Sequence, residues 1–245
     1  MALVPPLGGH DPGTAELRTT FVSGPSACDY LPDHTARTRY ELAFDLTAPE
    51  FLQALQGGWR RFGPVMFKPE CSSCSMCRSL RVPVAGFRPT ASQRRAWNRN
   101  RRDLTLHITE PATSAERVDL FQRFHDHGAR TKQWPPRDTA DLRLFTSNPF
   151  ETEEWDYRVG DRLVGVGYVD VLSSALSAIY FCHDPDEHRR GLGTFNILTM
   201  IEAARERGLS HVYLGYYVEG CRSLEYKARF KPNEILTSGA WERFR

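Results

Sequence analysis

Long apolar runs are missing from this sequence. Nothing in its 245 residues approaches the roughly 20 consecutive apolar residues that a membrane-spanning helix needs, so no membrane partner is expected. The opening stretch, MALVPPLGGHDPGTAE, lacks the basic start and apolar core of a secretory leader, which points to a reducing, cytoplasmic setting. Cysteine is scarce, with six in all. In a reducing compartment a close-set group of them argues for metal binding or catalysis rather than disulfides. Acids are missing from one region in particular. Residues 60–102 carry eleven Lys/Arg against a single acid, Glu70. The overall charge of only +2 therefore hides a basic stretch balanced by a net acidic remainder.

The densest cationic segment is QRRAWNRNRR, residues 93–102, where Arg94, Arg95, Arg99, Arg101 and Arg102 surround Trp97. A solvated helix face usually carries neutralising acids as well. Their absence, with an aromatic ring among the arginines, suits a nucleic-acid phosphate backbone. Just upstream, ECSSCSMC at residues 70–77 spaces Cys71, Cys74 and Cys77 at every third position. Thiolates at this spacing ligate zinc or an iron–sulfur cluster, and a structural site needs a fourth ligand. Cys28, in the same half of the chain, is the candidate, with His34 as a substitute. Cys182 and Cys221 read as buried thiols. Zinc and iron–sulfur remain open.

The chain shows no internal repeat. Residues 1–20 are rich in Pro and Gly and read as frayed. APEFLQALQGGW reads as a short helix, FGPVMFKPECSSCSMCRSLRVPV as strand, cysteine knuckle and strand, and the arginine-rich segment as a helix. DLTLHITEPA is a strand leading to a border near Pro111. SAERVDLFQRFHDHG is helical, and DTADLRLFT reads as a second helix. WDYRV and RLVGVGYVDVL form a hairpin about Gly160-Asp161. ALSAIYFCHD is a further strand. HRRGLGT then opens a long helix whose inner face holds Ile197, Ile201 and Ala204, and HVYLGYY follows as a parallel strand. A meander, a glycine loop, a helix and a parallel strand is the order of the acetyltransferase-like (GNAT) fold. The expected architecture is α+β: residues 1–110 a cysteine-bearing metal-binding domain, and residues 111–245 a GNAT-like mixed sheet with helices.

Two further segments carry chemistry. In HRRGLGT, Gly191 and Gly193 let backbone amides and a helix N-terminus face an anion; a plain tight turn is the bland reading. In YLGYYVEGCRSLEYKARFKPNE, Lys227 and Arg229 alternate with Ala228 and Phe230 as on an extended strand. There they could hold a carboxylate, or simply line an exposed edge.

These residues resemble the arginyl-tRNA–protein transferases, the N-end rule aminoacyltransferases, and especially the compact bacterial members that transfer leucine to proteins starting with Asp or Glu. The resemblance runs from about Cys28 to Trp241. It rests on CDYLPDHTAR, GGWRRFGPVMFKPECSSCSMCRSLRVPV, FRPTASQRR, ALSAIYFCHDPD, LGT at 192–194 and VYLGYYVEGCRSLEYKARFKPNE. It implies aminoacyl-tRNA as co-substrate and acidic N-termini as acceptors, which the family marks for degradation. It also implies zinc or an iron–sulfur cluster at Cys28, Cys71, Cys74 and Cys77. The segment HDHGARTKQWPP and the extra arginines of the glycine loop depart from the bacterial pattern, and arginine and leucine both stand as donors.

On this reading Arg189, Arg190, Gly191, Gly193 and Thr194 meet the tRNA acceptor end, and Arg94, Arg95 and Trp97 hold more of the tRNA. Lys227 and Arg229 read the acceptor's acidic side chain. Tyr216 or Tyr226 donates to the developing alkoxide, and Asp170 is the candidate base. The competing readings are a coenzyme A-dependent acetyltransferase of the same fold and a non-catalytic zinc-bearing RNA-binding protein. A redox-sensing role of the cysteines could be layered on any of them.

Overall fold

The computed structural model describes residues 18–132, 134 and 137–244. The expectation that residues 1–20 are frayed lies almost wholly outside them. A four-stranded antiparallel sheet comes first, built from β1 (Arg18–Val22), β4 (Thr38–Ala43), β5 (Arg60–Phe62) and β6 (Val65–Pro69) in the order β1-β4-β6-β5. Between β1 and β4 a small pair, β2 (Ser26–Ala27) and β3 (Thr35–Ala36), brings Cys28 into a tight loop. Helix α1 (Ala48–Gln56) starts at a capping box: Thr47 accepts from the Glu50 amide, and the Glu50 carboxylate accepts from the Thr47 amide. Its Phe51 and Leu55 are buried, each contributing about 2 kcal/mol by burial.

The second sheet has eight strands. It holds β7 (Arg78–Pro83), β8 (Leu104–Thr109), β9 (Thr152–Val159), β10 (Arg162–Leu172), β11 (Ala175–His183), β12 (His211–Tyr217), β13 (Asn233–Thr237) and β14 (Ala240–Phe244). Their order is β14-β13-β7-β12-β11-β10-β9-β8, and all neighbours are antiparallel except β11 and β12. Helices α2 (Ala91–Asn100) and α4 (Leu192–Glu206) pack together, and α3 (Ala115–Lys132) lies over β10 and β11. The mixed sheet and the strand–helix–strand unit match the expected α+β order. The border near Pro111 does not fall between the sheets, however. β8 is an edge strand of the large sheet, and β7, from the cysteine-bearing half, sits inside it between β12 and β13.

Two local readings are corrected. DTADLRLFT forms a 3-10 turn, Thr139–Phe145, rather than an α-helix. Lys227 and Arg229 do not alternate on a strand. After the short helix α5 (Arg222–Glu225) the chain makes a 3-10 turn, Tyr226–Arg229. That turn is tied down from both sides: the Gln93 side-chain amide on α2 donates to the Arg229 carbonyl at 3.2 Å, and Asn233 donates to the Ala228 and Phe230 carbonyls at 2.9 Å.

Successive arginines on β5 point to opposite sides of the strand. Arg61 goes into the core. It is fully buried and paired with the equally buried Asp170 of β10, and it donates to the Gly63 carbonyl at 2.8 Å and the Thr152 hydroxyl at 2.8 Å. Burial raises the Asp170 carboxyl pKa, and the Arg61 charge opposes that rise. Removing one member of such a pair strands the other charge, at about 3–5 kcal/mol. Asp170→Asn is therefore expected to lose that much stability in urea unfolding. A variant as stable as wild type that has lost only its chemistry would instead support Asp170 as a base.

Candidate active site

β11 and β12 pair over only three residues, Ala175 with His211 to Ser177 with Tyr213. Beyond that the strands diverge, β11 running on to His183 and β12 to Tyr217. The gap opens a cavity of about 810 Å³. Ala178 to Phe181 and His183 line one wall and Leu214 to Tyr216 the other. The N-terminus of α4, from Gly191 to Thr194, closes one side, and Tyr226, Lys227 and Arg229 close another.

Arg60 occupies the apex. It donates to the Ser177 hydroxyl at 3.2 Å and to the Ala178 carbonyl, the first β11 carbonyl past the paired stretch. Its guanidinium lies against Gly215, whose φ is +78° at a bulge in the β12–β7 ladder; a Cβ there would come within 3.4 Å of the Arg60 side chain. Lys227 enters from the 3-10 turn and donates to the Tyr216 carbonyl at 3.1 Å. Burial and the neighbouring Arg60 charge push its amine down to about 7. Neither cation has a carboxylate partner among the described residues. Asp29 is the sole carboxylate among the described lining residues.

The other end of the cavity is aromatic. Phe62, Phe124, His125, Trp134, Tyr180 and Phe181 line it. His125 Nε2 and the Tyr180 hydroxyl lie 2.5 Å apart. Burial and the Arg137 charge lower the His125 pKa to about 4, so the imidazole is neutral at physiological pH.

The expected site residues divide. Lys227, Arg229, Tyr216, Tyr226, Gly191, Gly193 and Thr194 all reach the cavity. Tyr216 does so with its hydroxyl already committed, donating to the Gly58 carbonyl at 3.0 Å, which leaves Tyr226 as the hydroxyl near the helix terminus. A Cβ on Gly193 would come within 3.7 Å of that hydroxyl. Asp170 is not brought to the cavity, being closed off with Arg61. Trp97 packs half-buried on Phe195 of α4 with ring centroids 5.3 Å apart, so it pins α2 rather than offering a free stacking face. Arg94 and Arg95 are exposed. Arg190 is engaged by Asp103 at 2.8 Å and Glu187 at 2.6 Å, whereas Arg189 is exposed beside Arg99 and Arg102. Sequence reasoning does not single out Arg60 or Tyr180, and it reaches His125 only through the departing segment HDHGARTKQWPP. The available signal is the pair Arg60-Arg61 inside a strand flanked by aromatics, since two adjacent cations cannot both face solvent there.

The cysteine loop backs the cavity wall. Leu31, Met76 and Cys77 pack against Tyr216, Val218, Cys221 and Leu224. Cys28, Cys71 and Cys74 lie close enough to act on Cys77, whose thiol is pushed up to about 12, first by burial and then by those neighbours. Even so, no three ligand-type side chains among the described residues are arranged to hold a metal ion. The four thiols fit a zinc or iron–sulfur centre in chemistry but not in the geometry described.

Residues 26–95 match the N-terminal model of the arginine-tRNA–protein transferases, and residues 116–237 match the C-terminal model. The chain belongs to the arginine-tRNA–protein transferase family. It is 35% identical over 224 residues to an aspartate/glutamate leucyltransferase of Pseudomonas fluorescens, covering 90% of this chain and 94% of that one. It is 38% identical over 228 residues to the protein of that name from Nitrosococcus oceani, with the same coverage. The crystal structure of FemX overlays with a TM-score of 0.52 at 10% identity, covering 78% of this chain and 68% of that one, which shows a shared fold. Among the described residues of this family member no helix is long and apolar enough to cross a membrane.

Proposed function

We propose that the protein transfers leucine from charged tRNA to the N-terminal α-amine of proteins that begin with Asp or Glu, marking them for N-end rule degradation. The observation that carries this reading is the pair of cations without carboxylate partners, Arg60 and Lys227, in a cavity that also opens on the N-terminus of α4. Such a pair suits an acidic side chain. The relatives' leucyltransferase names and the aromatic end of the cavity favour leucine over arginine as donor.

Aminoacyl-tRNA already contains an activated ester, so the work is positioning. The acceptor nitrogen attacks the ester carbonyl carbon. A C–N bond forms, the C–O bond to the tRNA ribose breaks, and the amine proton goes to the released ribose hydroxyl. An unperturbed α-amine titrates near 7.7–8.0, so a useful fraction is already neutral. Amides at the start of α4 and the Tyr226 hydroxyl would stabilise the oxyanion. The exposed Arg94, Arg95, Arg99, Arg102 and Arg189 are the candidates for holding the tRNA backbone, and Arg229 stands at the acceptor side. The four cysteines keep zinc or an iron–sulfur cluster as the centre they would take, with a structural role behind the cavity wall.

Purified protein given Leu-tRNA is expected to modify peptides starting with Asp or Glu and not those starting with Lys or Ala; Arg-tRNA should serve poorly. Absence of transfer from either donor would overturn the reading. The pH profile offers a second check. Facing Lys227 are Arg60, Tyr216 and Cys221. With its amine at about 7, Lys227 is charged below that pH and neutral above it. KM for an Asp-starting peptide should therefore climb as pH rises through this range, and Lys227→Arg, charged throughout, should flatten the climb. Elemental analysis tests the cysteines: bound zinc or iron that is lost in Cys71→Ser is expected, and folded, active, metal-free protein would refute it.

A further inference from the structure

Glycine in a helix interior costs about 1 kcal/mol relative to alanine, and Gly128 sits inside α3. The reason is Trp134. Its indole lies directly on the helix backbone there, so that a Cβ at Gly128 would fall 2.0 Å from the ring. The Trp134 amide donates to the Gly128 carbonyl at 3.4 Å. The ring packs against Phe124 at 5.3 Å and His125 at 6.1 Å between centroids, and the Lys132 amine lies 4.6 Å from its centroid. Trp134 thus lines the aromatic end of the cavity, continuous with Phe124, His125 and Tyr180.

Among the charges at this end, Arg137 is paired with Asp141 at 3.7 Å, and Asp141 also acts on Tyr180. Arg137 acts on both His125 and Tyr180, and Lys132 covers the indole. Asp126 also acts on His125, but it is exposed, accepts from Gln122 at 2.8 Å and is not among the lining residues. A guanidinium entering here would meet aromatic walls and two cations, with Asp141 already engaged by Arg137 and Asp29 the one carboxylate among the described lining residues. An aliphatic side chain would need no charged partner and could pack on the rings of Phe124, Trp134 and Tyr180 that line this end.

Building on the proposed leucyl transfer, we infer that this aromatic end receives the side chain of the transferred amino acid, and that Trp134, seated on Gly128, sets which side chain fits. The cationic apex takes the acceptor's carboxylate, which leaves the apolar end for the donor. A pocket wall of this kind discriminates between apolar side chains of different size by roughly 10- to 200-fold.

The test uses the full chain and one tRNA body charged in turn with leucine, phenylalanine or arginine, with an Asp-starting peptide as acceptor. Trp134→Ala opens the pocket and is expected to raise the Phe-to-Leu ratio of kcat/KM by at least about tenfold. Gly128→Ala must move the indole and is expected to shift the same ratio. The preference for Asp- over Ala-starting peptides should stay as in wild type for both. A merely structural role for Trp134 would lower transfer from all donors equally. Unchanged donor ratios in folded Trp134→Ala and Trp134→Phe, with wild type active, would overturn this inference alone. A wild type inactive with every charged tRNA would overturn it together with the proposed function.

Discussion

The structure depends on how the gap between β11 and β12 is held open. Two neighbouring strands that stop pairing leave backbone carbonyls without ladder partners, and buried backbone groups need partners. Arg60 supplies one at the Ala178 carbonyl and fills the space with a guanidinium whose remaining surface faces the cavity. The same side chain therefore stabilises the split and gives it a charge. Gly215 is the complementary half of the arrangement. Its positive φ bends β12 away, and its missing side chain makes room for Arg60.

Around that apex the two ends of the cavity differ in kind. One presents Arg60 and Lys227 near a helix N-terminus, and the other presents aromatic surface with a neutral histidine, bordered by Lys132 and Arg137. On the proposed function, a transfer between an acidic acceptor and an aliphatic donor needs this asymmetry more than it needs a strong base. The ester is already activated, and the nucleophile titrates close to neutrality. No residue has to perform difficult proton chemistry, which is consistent with Asp170 being spent on the core.

What is legible in the sequence is local. The β9–β10 hairpin, the glycine loop before α4 and the strand after it follow from periodicity and turn residues. So does the nearness of the three cysteines in one loop. What escapes it is set by distant partners. Asp170 reads as a strand-end acid until Arg61, 109 residues earlier, is seen to neutralise it. Arg190 reads as a free cation until Asp103 engages it. Tyr216 reads as a proton donor until the Gly58 carbonyl takes its hydroxyl. Lys227 reads as a strand residue because its alternation with Ala228 and Phe230 imitates one. The tie from Gln93 that bends the segment into a turn comes from another helix.

The place of β7 bears on how the chain assembles. Both of its neighbours, β12 and β13, come from the last stretch of the chain, more than a hundred residues later. During synthesis, at about 5–20 residues per second, β7 waits for several seconds with both edges bare. Contacts of such long separation also close slowly. Until they close, the cavity wall behind the cysteine loop has nothing to rest on, even though the four-stranded sheet of the first half can pair on its own. A ribosome paused between β8 and β12 would hold a strand with two bare edges and the side chains of Leu80 and Val82 in water, the kind of edge that aggregates or recruits a chaperone.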